Sequence, residues 1–254
     1  MYWFLAIIIL GWLVGGVVNY LSDFLPVDRK LVRPYCLECH KPVSFAAYFI
    51  RPRSCDNCGR PKALRVALVY SIYLLALPLL WLIPNPNLGF ILSILLFIYF
   101  GLVIVIDFEH RLILHPVSIA GAVLGLWAGV IQRGIGATLI GGLVGFTIML
   151  LLYQGGRIFI RLLARWRNYS EVDEALGFGD VVLSGVIGLM LGWPAIVVGL
   201  VLAIILAGII SLLYLIVLFL TRRYHPNVTI AYGPYLVTSA FLLLYVKDAV
   251  SILA

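Results

Sequence analysis

The recurrence of long apolar runs constrains this chain more than any other feature. A helix needs about 20 residues to cross roughly 30 Å of hydrocarbon. Eight stretches approach that length: 2–22, 66–83, 88–106, 117–132, 137–160, 178–193, 195–220 and 229–246. They are dense in Leu, Ile, Val, Gly and Ala and show no two-residue alternation, which points to helices and away from a barrel. Of the 254 residues, 63% are hydrophobic and 11% charged, whereas a soluble domain carries about 25% charged residues. Too few charges remain to cover a water-facing surface, so soluble and disordered chains are excluded. Residues 1–22 have neither a charged leading segment nor a small-residue cleavage site, and read as a retained span. The expected fold is an all-α polytopic membrane protein with about eight transmembrane helices.

The net charge of +7 is a matter of topology. Sixteen of the 18 cations fall in the long loop 23–65 and in the alternate connections on the same side; only Arg133 and Lys247 lie opposite. The positive-inside rule then makes the long loop cytoplasmic and both termini external, in the inner (cytoplasmic) membrane. Anionic lipid headgroups, and no nucleic acid, are the expected partners of these cations. Gly134, Gly136, Gly141, Gly142 and Gly145 crowd the start of the fifth run, where small residues let helices pack closely.

All four cysteines lie in the cytoplasmic loop, as Cys36-Leu37-Glu38-Cys39 and Cys55-Asp56-Asn57-Cys58. Each C-x-x-C turn aims two thiolates at one tetrahedral centre, and two such turns close it. The cytosol is reducing, so disulfides are disfavoured there. The expectation is a small zinc-binding loop subdomain, its Zn²⁺ structural because four thiolates leave no open position.

Acidic residues number eleven in all, and two of them stand where an apolar run meets the cytoplasmic side. Asp107 follows Gly101–Ile106, and Asp180 ends Gly177-Phe178-Gly179-Asp180. An ionisable group at a membrane span is a functional candidate. Two carboxylates that meet can share one proton, activate a water and protonate a leaving amine, which is the chemistry of an aspartyl peptidase. The alternative for Asp180 is a helix cap. Asp107 ends its helix, where the dipole disfavours an anion.

The ordered set of these features resembles the type IV prepilin peptidase family, the bifunctional leader peptidases and N-methyltransferases. Gly15-Gly16-Val17-Val18-Asn19-Tyr20 is similar to that family's G-S-F-L-N-V segment. The tetracysteine loop follows, then Asp107, then Gly177-Phe178-Gly179-Asp180 in place of G-x-G-D, then Tyr232-Gly233-Pro234-Tyr235-Leu236 in place of F-G-P-F/Y-L. The resemblance implies a membrane aspartic endopeptidase with Asp107 and Asp180 as catalytic residues and Gly177, Gly179, Tyr232, Gly233 and Pro234 around the substrate. It implies Cys36, Cys39, Cys55 and Cys58 as zinc ligands, and prepilins or pseudopilins, cut on the cytoplasmic face, as substrates. An N-terminal part, 1–84, would precede a peptidase domain, 85–254.

The chain departs from the family pattern in two places that bear on a second activity. The family's Y-P-x-V-E reads Val66-Ala67-Leu68-Val69-Tyr70 here, without the Glu, and the segment around Asn19 is altered. Both lie in the half that the resemblance associates with methyl transfer from S-adenosylmethionine, which puts that activity in question. Two rival classes share the same residues: a proton- or cation-coupled transporter using the intramembrane aspartates, and a non-catalytic pilus or secretion assembly factor.

Overall fold

The computed structural model describes residues 2–36, 38–50, 58, 64–167, 177–221 and 231–246. Its described helices are α1 (Tyr2–Asp28), α2 (Phe45–Ile50), α3 (Leu64–Leu82), α4 (Gly89–His110), α5 (His115–Arg167), α6 (Phe178–Leu191), α7 (Ala195–Leu220) and α8 (Gly233–Phe241), the last continuing as a π turn, Leu242–Val246. Among the described residues each apolar run coincides with a helix, the fourth and fifth sharing one. No strand occurs among the described residues beyond a single bridge between Tyr35 and Pro42.

Five helices, α1, α3, α4, α5 and α7, are long and apolar enough to cross a membrane. The fourth and fifth runs are joined in α5, whose 53 residues are broken at Gly134 by a left-handed φ of 78°. Only glycine adopts that conformation without a steric penalty. By contrast, α6 has 14 residues, a rise of about 21 Å. It is the most enclosed helix of its unit. Its Val181, Leu183, Ile187 and Met190 are almost wholly buried.

The chain divides into two compact units, Met1–Ile106 and Asp107–Ala254. In the first, α1 lies against α3. Ile7, Val14 and Val18 pack with Val69, Tyr73 and Leu77, and Trp12 stacks on Tyr70 with ring centres 4.3 Å apart. A Cβ on Gly11 would lie 2.9 Å from the Tyr73 carbonyl oxygen, so backbone rather than side chain makes that contact. The Tyr73 hydroxyl donates to the Phe97 carbonyl of α4 at 2.7 Å, which gives a buried phenol its partner.

In the second unit α5 and α6 meet glycine to glycine. A Cβ on Gly141 would fall 2.5 Å from the Gly188 carbonyl oxygen, and one on Gly145 the same distance from that of Ser184. The Ser184 hydroxyl donates across the seam to Gly145 O at 3.0 Å. Apolar surface gives helices in lipid little reason to associate, so such backbone approach is what holds them. Of the glycines crowding this stretch, Gly141, Gly142 and Gly145 face α6, Gly134 makes the break, and Gly136 has nothing within 4 Å of its Cβ position. Two alanine substitutions therefore separate packing from propensity. Gly141→Ala is expected to destabilise by about 1–3 kcal/mol, and Gly136→Ala to leave stability unchanged or slightly raised. Thermal unfolding in detergent reads both.

Candidate active site and metal centre

Three separate stretches of sequence supply the candidate site of the second unit. Asp107 lies in the last turn of α4, which ends as Arg111 turns left-handed at φ 51° and donates its N–H back to the Asp107 carbonyl at 2.9 Å. Asp180 is the third residue of α6, and Gly177 occupies the N-cap with extended backbone. Asp180 is therefore not the cap itself. Its N–H donates to Gly177 O at 3.1 Å, and its carboxylate interacts in turn with the Gly177 backbone. A third-position acid reaching back to the cap amide is a known way to satisfy an orphan donor at a helix start. The third stretch is Tyr232-Gly233-Pro234 at the start of α8, where Pro234 occupies the first turn and so removes an N–H that would otherwise lack a partner.

These stretches converge on the two carboxylates. Asp107 and Asp180 are both buried, at 5% and 8% exposure, and close enough to act on one another electrostatically. The N–H of Gly233 donates to Asp107 Oδ2 at 3.0 Å across 126 residues of sequence. A Cβ on Gly233 would sit 2.5 Å from that same oxygen, so the contact requires glycine. Arg111 lies within electrostatic reach of Asp107. The Tyr232 hydroxyl is buried with no hydrogen-bond partner among the described residues and lies within the field of Asp180. Gly179 faces Ile113, whose Cβ would be 3.0 Å from a Cβ placed on that glycine. All seven motif residues expected from the sequence are present at the starts and ends of helices. Arg111, four residues after Asp107, was already a possible partner by its spacing in the sequence, whereas Ile113, in the link that follows α4, carries no pattern that would mark it.

The first unit brings the cysteines together. The Sγ atoms of Cys36, Cys39 and Cys58 all lie within 4.8 Å of one another. Cys36 and Cys58 are 3.8 Å apart at sulfur, which matches the edge of about 3.8 Å that four thiolates at about 2.3 Å from Zn²⁺ would share. The turn that presents the first pair is fixed by backbone: His40 N–H donates to Cys36 O at 2.8 Å and Cys36 N–H to Lys41 O at 2.9 Å. The donor set fits a metal that prefers tetrahedral sulfur. Cys55, the fourth expected ligand, lies outside the described residues.

Fold and site together define a helical multi-pass membrane protein with a buried carboxylate pair in one unit and a thiolate cluster in the other. The model of the type IV leader peptidase family matches residues 90–216, and the chain belongs to that family, whose members are peptidases. Among curated proteins it is similar to the prepilin leader peptidase/N-methyltransferase of Aeromonas hydrophila, 23% identical over 90% of this chain and 77% of that one. It is 27% identical to the protein of the same name from Myxococcus xanthus, over 82% of this chain and 62% of the relative. With that of Pectobacterium carotovorum it shares 24% identity over 92% and 90% of the two chains. No solved structure gives a significant match.

Cobalt reports the thiolate cluster directly. Titration of the purified, metal-depleted protein with Co²⁺ is expected to give the visible absorption of tetrahedral thiolate coordination, saturating at about one ion per chain. Cys36→Ser and Cys58→Ser should each weaken or remove that band.

Proposed function

We propose that this protein is an aspartic endopeptidase of the cytoplasmic membrane that removes the leader peptide of type IV prepilins or pseudopilins at the cytoplasmic face. The observation that carries the reading is the buried pair, Asp107 and Asp180, drawn from helices far apart in sequence and held by backbone amides. Two adjacent buried carboxylates cannot both ionise, so one retains a proton. The ionised member takes a proton from a water as that water attacks the scissile carbonyl. The protonated member stabilises the developing oxyanion, and a proton then passes to the departing amine. The pair titrates as a unit, and the two roles belong to it jointly.

The Gly233 N–H holds Asp107 through Oδ2. Gly177 and Gly179 let an extended substrate backbone approach Asp180. The Tyr232 hydroxyl, buried beside Asp180 and without a partner among the described residues, is placed to donate to the substrate. On this reading all of the chemistry belongs to 85–254, and 1–84 carries the metal lobe. Zn²⁺ on Cys36, Cys39, Cys58 and Cys55 would be structural, holding the loop together and taking no part in hydrolysis. The orientation follows from the sixteen cations of one side, which face anionic lipid.

The curated relatives are named for methyl transfer as well. In this chain Tyr70 stands at the Glu of the motif. Its ring lies over Gly15 and Trp12, and its hydroxyl is buried with no hydrogen-bond partner. A phenol supplies no carboxylate, so the residues present do not reproduce that half of the pattern, and we assign no methyl-transfer step.

Cleavage of a prepilin in membranes tests the peptidase. Asp107→Asn and Asp180→Asn are each expected to lower the rate by about 10²–10⁴-fold. Gly233→Ala, which displaces the Asp107 carboxylate without removing a charge, should cost on the order of 100-fold. Full cleavage by either Asn variant would sink the mechanism. A transporter using the same acids predicts no cleavage by the wild type at all. Mass spectrometry of the processed N-terminus is expected to show an unmodified amine.

A further inference from the structure

A third acid at a span edge, Asp23, takes no part in the site above. It is 9% exposed on α1 and has two partners, the hydroxyl of Tyr48 on Oδ2 and the guanidinium of Arg65 on Oδ1. A carboxylate is buried at such cost that it persists only where charge and hydrogen bonds compensate it. One partner comes from within the cysteine-bearing segment and the other from just after it. Tyr48 belongs to α2, between Cys39 and Cys58 in sequence, and Arg65 opens α3 shortly after Cys58.

Other contacts lead the same lobe onto the same end of α1. The Tyr35 hydroxyl, one residue before Cys36, donates to Asp28 Oδ2 at 2.9 Å. The Tyr20 hydroxyl donates to Val32 O at 2.5 Å. Phe24, wholly buried, has the rings of Tyr35 and Tyr48 at 5.0 and 6.0 Å. The Phe49 ring occupies the space a Cβ on Gly16 would fill. Burial and the neighbouring Asp23 push the Tyr48 phenol far above its ordinary range, so it stays a donor at any physiological pH.

We propose that Asp23 is a latch that couples metal occupancy of the thiolate cluster to the docking of the cysteine lobe on α1 and α3. The metal holds the lobe in the shape that delivers Tyr48 to Asp23, and the latched lobe in turn holds the thiolates at coordination distance. Two equilibria linked in this way must strengthen each other by equal factors. The latch therefore acts on metal retention although none of its three side chains is a ligand. The inference rests on the metal reading of the cysteines and is independent of the peptidase chemistry.

Zinc release from the full chain in detergent, followed with a chromogenic chelator, tests it. Tyr48→Phe keeps the ring packed on Phe24 and deletes only the hydroxyl. It is expected to release zinc about tenfold faster than wild type, the scale of one hydrogen bond to a buried charge. Asp23→Asn should do the same. Adding excess zinc should raise the unfolding temperature of the wild type by more than that of either variant. Tyr73→Phe removes a buried hydroxyl elsewhere in the same unit and should leave release unchanged. Equal release from wild type and Tyr48→Phe, or equal acceleration by Tyr73→Phe, overturns the latch. A wild type that binds no zinc overturns the metal reading beneath it.

Discussion

The hydrogen bond from Gly233 N–H to Asp107 is the interaction on which the candidate site depends. A carboxylate in a low-dielectric interior needs a donor that neither moves nor titrates, and a backbone amide at the start of a helix is such a donor. Because the oxygen occupies the place of a side chain, residue 233 has to be glycine. The bond ties the last turn of α4 to the first turn of α8. Asp180 is held by similar means at the start of α6. Both acids are thus held by main chain.

Short helices make this arrangement feasible. With 14 residues, α6 starts its first turn inside the unit, and its buried face is pressed on α5 by a seam of glycines. A leucine-rich seam would hold the backbones farther apart and move Asp180 with them. The Gly134 break lets the two lengths of α5 take different directions while one of them keeps this contact. Small residues away from the carboxylates thereby set the position of Asp180.

The first unit solves a different problem with similar means. A polar lobe has to be attached to the ends of apolar helices, where hydrophobic contact alone gives little specificity. Aromatic rings from α1 and from the lobe supply area, and one buried carboxylate supplies direction. Two of the three clustered cysteines, Cys36 and Cys39, stand on the turn that follows Tyr35.

Much of this was legible in the residues themselves. Apolar run lengths set the kind of element, because a bilayer admits few alternatives, but not the joining of the fourth and fifth runs in α5. The C-x-x-C spacing announced that cysteines would gather, and the scarcity of acids made Asp107 and Asp180 conspicuous. What the pattern could not convey was distance. Asp180 could equally have been a simple cap, and only the folded chain shows it at the third position of α6 with the Asp107 carboxylate in its field. Asp23 escaped notice because nothing in its own neighbourhood marks it; its partners are 25 and 42 residues away. Sequence alone determined which segments are apolar enough to enter a membrane and which residue types could do chemistry there, since hydropathy and ligand spacing are local properties. Tertiary structure decided which of those residues meet, since a backbone amide, a glycine gap and a buried ion pair exist only between segments that the fold has brought together.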